Sequence, residues 1–424
     1  MRGVAITVIG THEERTIRQL ERCVRAEEGA AGVLCADGHV GYSQPVGGAV
    51  AYRDHISVSG VGYDIGCGNK AVRTDLRHDD VKADLAGIMD AIVDRISFGV
   101  GRRNDDPVDH PVLDAVRTAA VGHQRKLYDL AAAQLGTVGA GNHYVDLFAD
   151  DEGFVWVGVH FGSRGFGHKT ATTYLELAGE RGGGMDAAPA LLRVDSEVGQ
   201  EYVAAMELAC DYAYAGRDVV VDRVLEILGA SATYAVHNNH NFAARETHDG
   251  EEWWVVRKGC TPAFPGQQGF VGSTMGETSV ILEGADTPAA RAAFFSTVHG
   301  AGRRLSRTQA AGKMGVAFEC SVRDCEYRAP RGRRHERCPR HPDARLIKRR
   351  RRIKAGLIDY AQVRADLRAR GIELRGGAAD EAPDAYKRLD EVLADHGDTI
   401  RVLHRLQPIG VAMAGADIFD PYKD

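Results

Sequence analysis

The distribution of glycine constrains this chain more than any other feature. Its 50 glycines, in 424 residues, gather in short islands shared with histidine, asparagine and aspartate, not in low-complexity linkers. Glycine adopts positive φ and lets backbone N–H groups approach an anion closely, so a set of such islands reads as site-forming loops on a packed scaffold. Any single island, taken alone, reads equally well as an ordinary turn. Between the islands, Val81, Leu85, Ile88, Met89, Ile92, Val93 and Ile96 recur at helical spacing, which predicts an amphipathic helix over Asp79 to Ile96. The stretch Val112 to Leu135 reads similarly. Gly153 to Val159, Thr233 to Val236 and Trp253 to Val256 are short and rich in β-branched or aromatic residues, as strands that deliver loops would be. No internal repeat and no clean βαβ alternation is visible. The expected class is α+β.

Hydrophobic residues at 44% and charged residues at 26% exclude wholesale disorder. The length suits one catalytic domain carrying an insert: residues 1–317 and 355–424 as the core, 318–354 as the insert. The first twenty residues have neither the apolar core nor the cleavage site of a signal peptide, and no apolar run approaches a membrane span, so a cytoplasmic location without membrane contact is expected. The 8 cysteines then read as thiols or metal ligands, not as a disulfide framework. Net charge is −6, but between Cys320 and Lys354 there are 14 Lys or Arg against 4 Asp or Glu, one basic patch on an acidic body.

Six islands carry the chemistry. The first runs VLCADGHVGYSQPVGGAVA from Val33 to Ala51 and continues as VSGVGYDIGCGNK at Val58 to Lys70, where Asp64 and Cys67 could face one borderline divalent ion. Cys67 alone reads as a small buried hydrophobe. GTVGAGNHYVDL (Gly136 to Leu147) offers Asn142, His143 and Asp146; VGVHFGSRGFGH (Val157 to His168) offers His160 at a strand end and Arg164 among glycines. YAVHNNHNFAARETH (Tyr234 to His248) adds His237, His240, Asn241 and His248. Three histidine islands beside a Cys/Asp island favour a shared metal site over independently hydrogen-bonded imidazoles. The fifth island, Arg257 to Ser279, holds a GSTMG turn, and the sixth, VHGAGRRLSR (Val298 to Arg307), sets His299 before a glycine turn with Arg303 and Arg307. Glycine N–H groups with guanidinium forks form a phosphate-binding kit, and a histidine within it can attack phosphorus, although His299 also reads as a helix cap.

Taken together and in this order, from DGHVGYSQPVGG to the AYK motif at Ala385 to Lys387, the islands resemble the RtcB family of RNA ligases over nearly the whole chain. The resemblance implies an α+β fold and an enzyme that seals 3′-phosphate or 2′,3′-cyclic-phosphate RNA ends to 5′-hydroxyl ends in transfer-RNA splicing or RNA repair. It implies two manganese ions, one held by Asp64, Cys67 and His143, the other by Cys67, His160 and His240, and GTP as energy donor. His299 would receive GMP, and Asp37 matches a family aspartate needed for activity. Asn142, Asn241, Asp146, Tyr386 and the turns containing Gly272, Ser273, Met275, Gly300, Ala301 and Gly302 would surround the nucleotide. Arg164, Arg303 and Arg307 would meet RNA phosphate, and an activating protein is a further expected partner. The competing assignment is a phosphoesterase that opens cyclic phosphates on the same metals without sealing ends; it does not require a nucleotidylated His299. A binding module with a decayed core is disfavoured by the intact metal set.

Four features depart from the family pattern. Met413, in PIGVAMAG, stands where a guanine-contacting lysine is usual, and Asp146 stands where a glutamate is usual, so altered nucleotide selectivity is expected; Lys423 in the tail is an alternative base contact. Val298 replaces a common serine. The insert holds Cys320, Cys325, Cys338 and His341 in a C-x4-C-x12-C-x2-H arrangement followed by KRRRRIK, with His335 as an alternative ligand. The spacing fits either a small structural zinc site or a disordered basic loop with incidental cysteines. A zinc-stapled basic lobe would contact RNA backbone.

Overall fold

The computed structural model describes residues 5–180, 184–329 and 337–416. His335 and Lys423 lie outside the described residues. An eight-stranded sheet forms the centre, with its main path running Gln268–Val271, Ser279–Gly284, Ile400–Gly415, Tyr144–Asp150, Phe154–Phe161, Gly68–Arg77 and Ala232–Asn239. The strand Glu373–Gly377 joins it as a parallel partner of Ile400–Gly415, and the remaining pairs are antiparallel. A second, five-stranded sheet is ordered Ala5–Val8, Ala31–His39, Val46–Tyr52, Glu251–Lys258 and Asn241–His248. Its last hairpin turns on Asp249 and Gly250, both at positive φ (51° and 80°), as a tight two-residue connection requires.

Period-two alternation explains the central sheet. Along Phe154–Phe161, Val155, Val157, Val159 and Phe161 pack on one face with Val145 and Leu147, beneath the helices Leu85–Arg95 and Glu197–Leu228. Trp156 turns to the other face, with Tyr144, Phe148 and Phe270. Trp156 is fully buried and its indole N–H donates to Asp150 Oδ2 at 2.8 Å, so the aromatic body is buried without orphaning its polar atom. Each such buried side chain contributes about 1.5–3 kcal/mol.

The Glu197–Leu228 helix joins two cores. Ser196 caps its first turn by accepting from the Gly199 N–H at 3.1 Å, and Gly229 ends it in the left-handed region (φ 63°). Tyr202, Ala205, Met206, Ala209 and Tyr212 pack with residues from the five-stranded sheet, whereas Val220, Val221 and Val224 pack under the central sheet. Among the described residues no helix is long and apolar enough to cross a membrane.

The α+β expectation stands, and the three strand segments are strands: Phe154–Phe161, Ala232–Asn239 and Glu251–Lys258. The helices are more broken than their periodicity predicts. Asp79 to Ile96 divides into His78–Val81, a 3-10 turn Lys82–Asp84 and Leu85–Arg95. Val112 to Leu135 becomes Pro111–Arg117, Gly122–Arg125 and Tyr128–Gln134. The first break in that stretch covers residues 118–121, and Gly122 opens the next short helix.

Candidate active site

The register of the central sheet gathers the metal-type side chains. Gly68 pairs with both Phe161 and Asn239, and Tyr144 pairs with His160. Cys67, His143, His160 and His240, each at or beside one of these positions, therefore stand together at one end of four strands. The thiol of Cys67 lies 3.3 Å from His160 Nε2 and 3.7 Å from His143 Nε2. His143 Nδ1 meets the Val138 carbonyl at 2.9 Å, which turns Nε2 toward Asp64 Oδ2, 3.1 Å away. The rings of His160 and His240 are 5.1 Å apart, and the His240 N–H donates to the Cys67 carbonyl at 2.8 Å. Gly162 has to be glycine here: a Cβ would sit 2.2 Å from Asp64 Oδ1.

The donor set fits a bound cation. Burial pushes Asp64 upward, but the hydrogen bond and charge of His143, with Arg164 nearby, bring it down to about 2. Burial, reinforced by neighbouring imidazoles, holds His160 and His240 well below the usual histidine range, so both are neutral and ligand-ready. Burial and the Asp64 charge raise the Cys67 thiol well above its ordinary value, so a cation is what would make it a thiolate. The Nδ1 of His240 is buried with no hydrogen-bond partner among the described residues. A carboxylate, imidazoles and a central sulfur suit manganese or zinc.

His299 approaches from a separate two-stranded sheet, Cys260–Pro262 paired with Ser296–Val298. Cys260 pairs with Val298, and the Cys260 N–H donates to the His240 carbonyl at 3.1 Å, so His299 lands beside His240 with ring centroids 4.9 Å apart. Behind it lies Asp37, fully buried on the Ala31–His39 strand. Its Oδ2 accepts from the His299 backbone N–H at 3.0 Å and meets His299 Nδ1 at 2.6 Å. Burial pushes Asp37 up, yet the charge and hydrogen bonds of His299 hold it below the usual carboxylate range. The imidazole is thus fixed through Nδ1, with Nε2 left as its second nitrogen. Gly302, at φ 78°, closes against this aspartate; a Cβ there would lie 2.2 Å from the Asp37 carbonyl oxygen.

A cleft of about 1380 Å³ opens over these groups. Every position expected to touch nucleotide lines it: Asn142, Asp146, Asn241, Gly272, Ser273, Met275, Gly300, Ala301, Gly302 and Tyr386, with Met413 at its wall. Asp146 is raised well above the carboxylate range by burial and accepts a single bond, 3.3 Å, from the Ala412 N–H. The side chains of Tyr144, Ser273 and Thr274 each hold a buried polar atom without a partner among the described residues. Asn241 already spans Asp64 and Gly259: its Nδ2 donates to the Asp64 carbonyl at 3.2 Å and its Oδ1 accepts from the Gly259 N–H at 2.8 Å.

Other expected residues are placed differently. Arg303 and Arg307 line the cleft but are held by carboxylates: Arg303 by Glu381 at 2.8 Å, Arg307 by Asp380 at 2.8 Å and by Glu381. Tyr386 donates to Glu381 and accepts from Arg303 at 2.8 Å. Arg164 begins the Arg164–Leu177 helix, its Nε 3.3 Å from Thr137 Oγ1. His237 and His248 do not join the cluster; His237 meets Arg217, and His248 meets Glu246 at 2.8 Å beside Phe294. Cys320, Cys325, Cys338 and His341 form a separate group, their ligand atoms all within 4.8 Å of one another.

Sequence reasoning missed Arg217. Fully buried on the long helix, it donates to the Gly66 carbonyl at 2.9 Å, the Phe161 carbonyl at 2.7 Å, Asn239 Oδ1 at 2.5 Å and His237 Nε2 at 2.8 Å, bracing the loop before Cys67 and the strand end after His160. Its signal was a lone cation on an apolar helical face. It also missed Asp380 and Glu381, whose signal was an acidic pair just before AYK.

A buried thiol, imidazoles and a carboxylate at the floor of a polar cleft are what a metal-dependent enzyme presents. A model of the family described as tRNA-splicing ligase RtcB matches residues 19–336, and the chain belongs to that RtcB ligase family. It is 30% identical to the tRNA-splicing ligase RtcB of Thermococcus kodakarensis, over 90% of this chain and 87% of that protein. It is 28% identical to the RNA-splicing ligase RtcB of Escherichia coli (88% and 87%) and 31% identical to that of Mycobacterium tuberculosis (88% and 94%).

Proposed function

We propose that this RNA ligase joins 3′-phosphate or 2′,3′-cyclic-phosphate RNA ends to 5′-hydroxyl ends, with GTP as energy donor and His299 as the residue that carries GMP. The observation that carries this is the Asp37–His299 pair: a histidine anchored through Nδ1 at 2.6 Å, its ring 4.9 Å from a metal-type histidine, at the floor of a nucleotide-sized cleft. Two manganese ions, held by Asp64, Cys67 and His143 and by Cys67, His160 and His240, would neutralise the charge that develops on phosphate. Asp37 orients the imidazole and stabilises its positive charge as Nε2 forms a bond to the α-phosphorus and pyrophosphate departs. A 2′,3′-cyclic-phosphate end is first hydrolysed by water to a 3′-phosphate; the GMP then passes from His299 to the RNA 3′-phosphate, and the 5′-hydroxyl displaces GMP to form the phosphodiester. The glycine turns at Gly272 and at Gly300 to Gly302 bring backbone close to the nucleotide phosphates. Glu381 and Asp380 hold Arg303, Arg307 and Tyr386 at the cleft rim, leaving the remaining guanidinium N–H groups for RNA phosphate. Asp146, kept protonated by burial, would donate a hydrogen bond to the base beside Met413.

Two RNA strands, one ending in a 3′-phosphate and one starting with a 5′-hydroxyl, incubated with manganese and GTP test this directly. Joined product is expected from the wild type and not from Cys67→Ala. With a 2′,3′-cyclic-phosphate strand in place of the 3′-phosphate strand, opening of the cyclic end to a 3′-phosphate with no joined product would instead identify a phosphoesterase.

A further inference from the structure

The second Cys/His group lies at the outer end of a two-stranded arm. Gly312–Cys320 and Leu346–Ala355 pair antiparallel, from Gly312 opposite Ala355 to Cys320 opposite Leu346. We propose that Cys320, Cys325, Cys338 and His341 bind one structural zinc ion that fastens this arm and presents its basic strand to RNA phosphate. The RNA half rests on the ligase assignment; the zinc half does not.

Distances carry the zinc half. Donors about 2.3 Å (sulfur) and about 2.0–2.1 Å (nitrogen) from a tetrahedral ion stand about 3.8 Å apart for two sulfurs and about 3.5 Å for sulfur and nitrogen. Cys325 Sγ and Cys338 Sγ are 3.7 Å apart, Cys320 Sγ and His341 Nδ1 3.6 Å, and Cys338 Sγ and His341 Nδ1 3.7 Å. A disulfide, with sulfurs about 2.05 Å apart, would use two of these thiols and leave the other thiol and the imidazole without a role. Three sulfurs and one imidazole make a soft tetrahedral set, which selects zinc over the harder manganese of the catalytic centre.

The arm also needs such a fastening. Cys320 and Cys338 are buried, yet among the described residues none of the four hydrophobic clusters draws on 312–356, and Val316, Val322 and Ile353 are exposed. An isolated hairpin is marginal in water, and a lobe without an apolar core is ordinarily held by a metal or a disulfide. Its position suits RNA. The arm rises directly after the Arg307–Ala311 helix, whose first residue lines the cleft, and returns beside it through Leu357 N–H to the Gln309 carbonyl at 2.9 Å. Arg345, Lys348 and Lys354 are exposed along the returning segment, and phosphate neutralisation dominates the affinity of such surfaces.

Metal content of the purified full-length protein, measured for wild type, Cys325→Ser, His341→Ala and Cys67→Ala, tests the zinc. One zinc per chain is expected in the wild type and in Cys67→Ala, and its loss in the other two, with X-ray absorption of the wild type showing sulfur neighbours at about 2.3 Å. Equal zinc in wild type and His341→Ala, or a Cys325–Cys338 disulfide in the unreduced protein, would overturn the site. Far-UV circular dichroism reports whether each variant keeps its core; should Cys325→Ser fail to fold, chelator treatment of the wild type replaces it. For the RNA half, anisotropy of a labelled 3′-phosphate RNA is titrated across salt concentrations. Zinc-free protein should bind about tenfold more weakly at low salt and with a shallower salt slope. Unchanged affinity and slope would overturn RNA contact by the arm. Failure of the wild type to bind RNA would count against the ligase assignment, with the zinc measurement unaffected.

Discussion

At the scale of single residues, the proposed chemistry centres on the Asp37–His299 contact. Asp37 accepts both the backbone and the ring N–H of His299 from a fully buried position, so orientation of the proposed nucleophile depends on one carboxylate. Asp37→Asn should slow guanylylation by about 10²–10⁴-fold, the range seen when the partner of a catalytic imidazole loses its charge. Bound metal, assayed in parallel, should be unchanged, because Asp37 touches none of the expected metal ligands. A rate within a factor of a few of wild type would remove Asp37 from the mechanism. The clustered side-chain types were legible at this scale: Asp64, Cys67, His143, His160 and His240 stand out because thiols and imidazoles clustered among glycines are costly to explain as packing. What spacing did not convey was which histidines converge. His237 lies only three residues from His240 on the same strand-and-turn segment, yet it turns to Arg217.

At the scale of elements, the long helix and the strand ends act as one brace. Arg217 reaches from the Glu197–Leu228 helix to carbonyls on either side of the metal-type cluster and leaves them unpaired if removed. Arg217→Met should destabilise the fold by about 3–5 kcal/mol, given several hydrogen bonds to a charged donor worth about 1.5–3 kcal/mol each. It should also weaken manganese binding by about 10–100-fold, as loss of ligand-supporting contacts does. Calorimetric titration of metal into the variant checks this; wild-type affinity in a destabilised protein would mean that Arg217 supports packing alone. Strands were legible from β-branched and aromatic runs, since Phe154–Phe161 shows clear alternation about Trp156. Helix lengths were not, because hydrophobic periodicity persists across Val112 to Leu135 while the helical ladder ends at Thr118 and restarts only at Gly122.

At the scale of the whole molecule, three sheets meet at the cleft: the central sheet supplies the metal-type side chains, the five-stranded sheet supplies Asp37, and a two-stranded sheet of Cys260–Pro262 and Ser296–Val298 delivers His299. That meeting was not legible before the fold was known. It depends on pairings such as Gly68 with Phe161 and Cys260 with Val298, which join segments far apart in sequence and leave no local trace. The order of the islands was nonetheless sufficient to suggest the family, because the islands, whether strand ends or loops, line one cleft whatever connects them. The charge asymmetry also belongs here: an acidic body bears one basic arm beside the cleft, so RNA would be drawn to the side where its ends react. The most direct test of the central claim is to incubate the protein with manganese and α-labelled GTP, resolve it under denaturing conditions, and repeat with His299→Ala and with α-labelled ATP. Label retained by the wild type and absent from His299→Ala is predicted, with weaker discrimination against ATP if Met413 and Asp146 have altered the base pocket. Label that persists in His299→Ala, or no label with any divalent ion, would contradict a covalent GMP-histidine step in this protein.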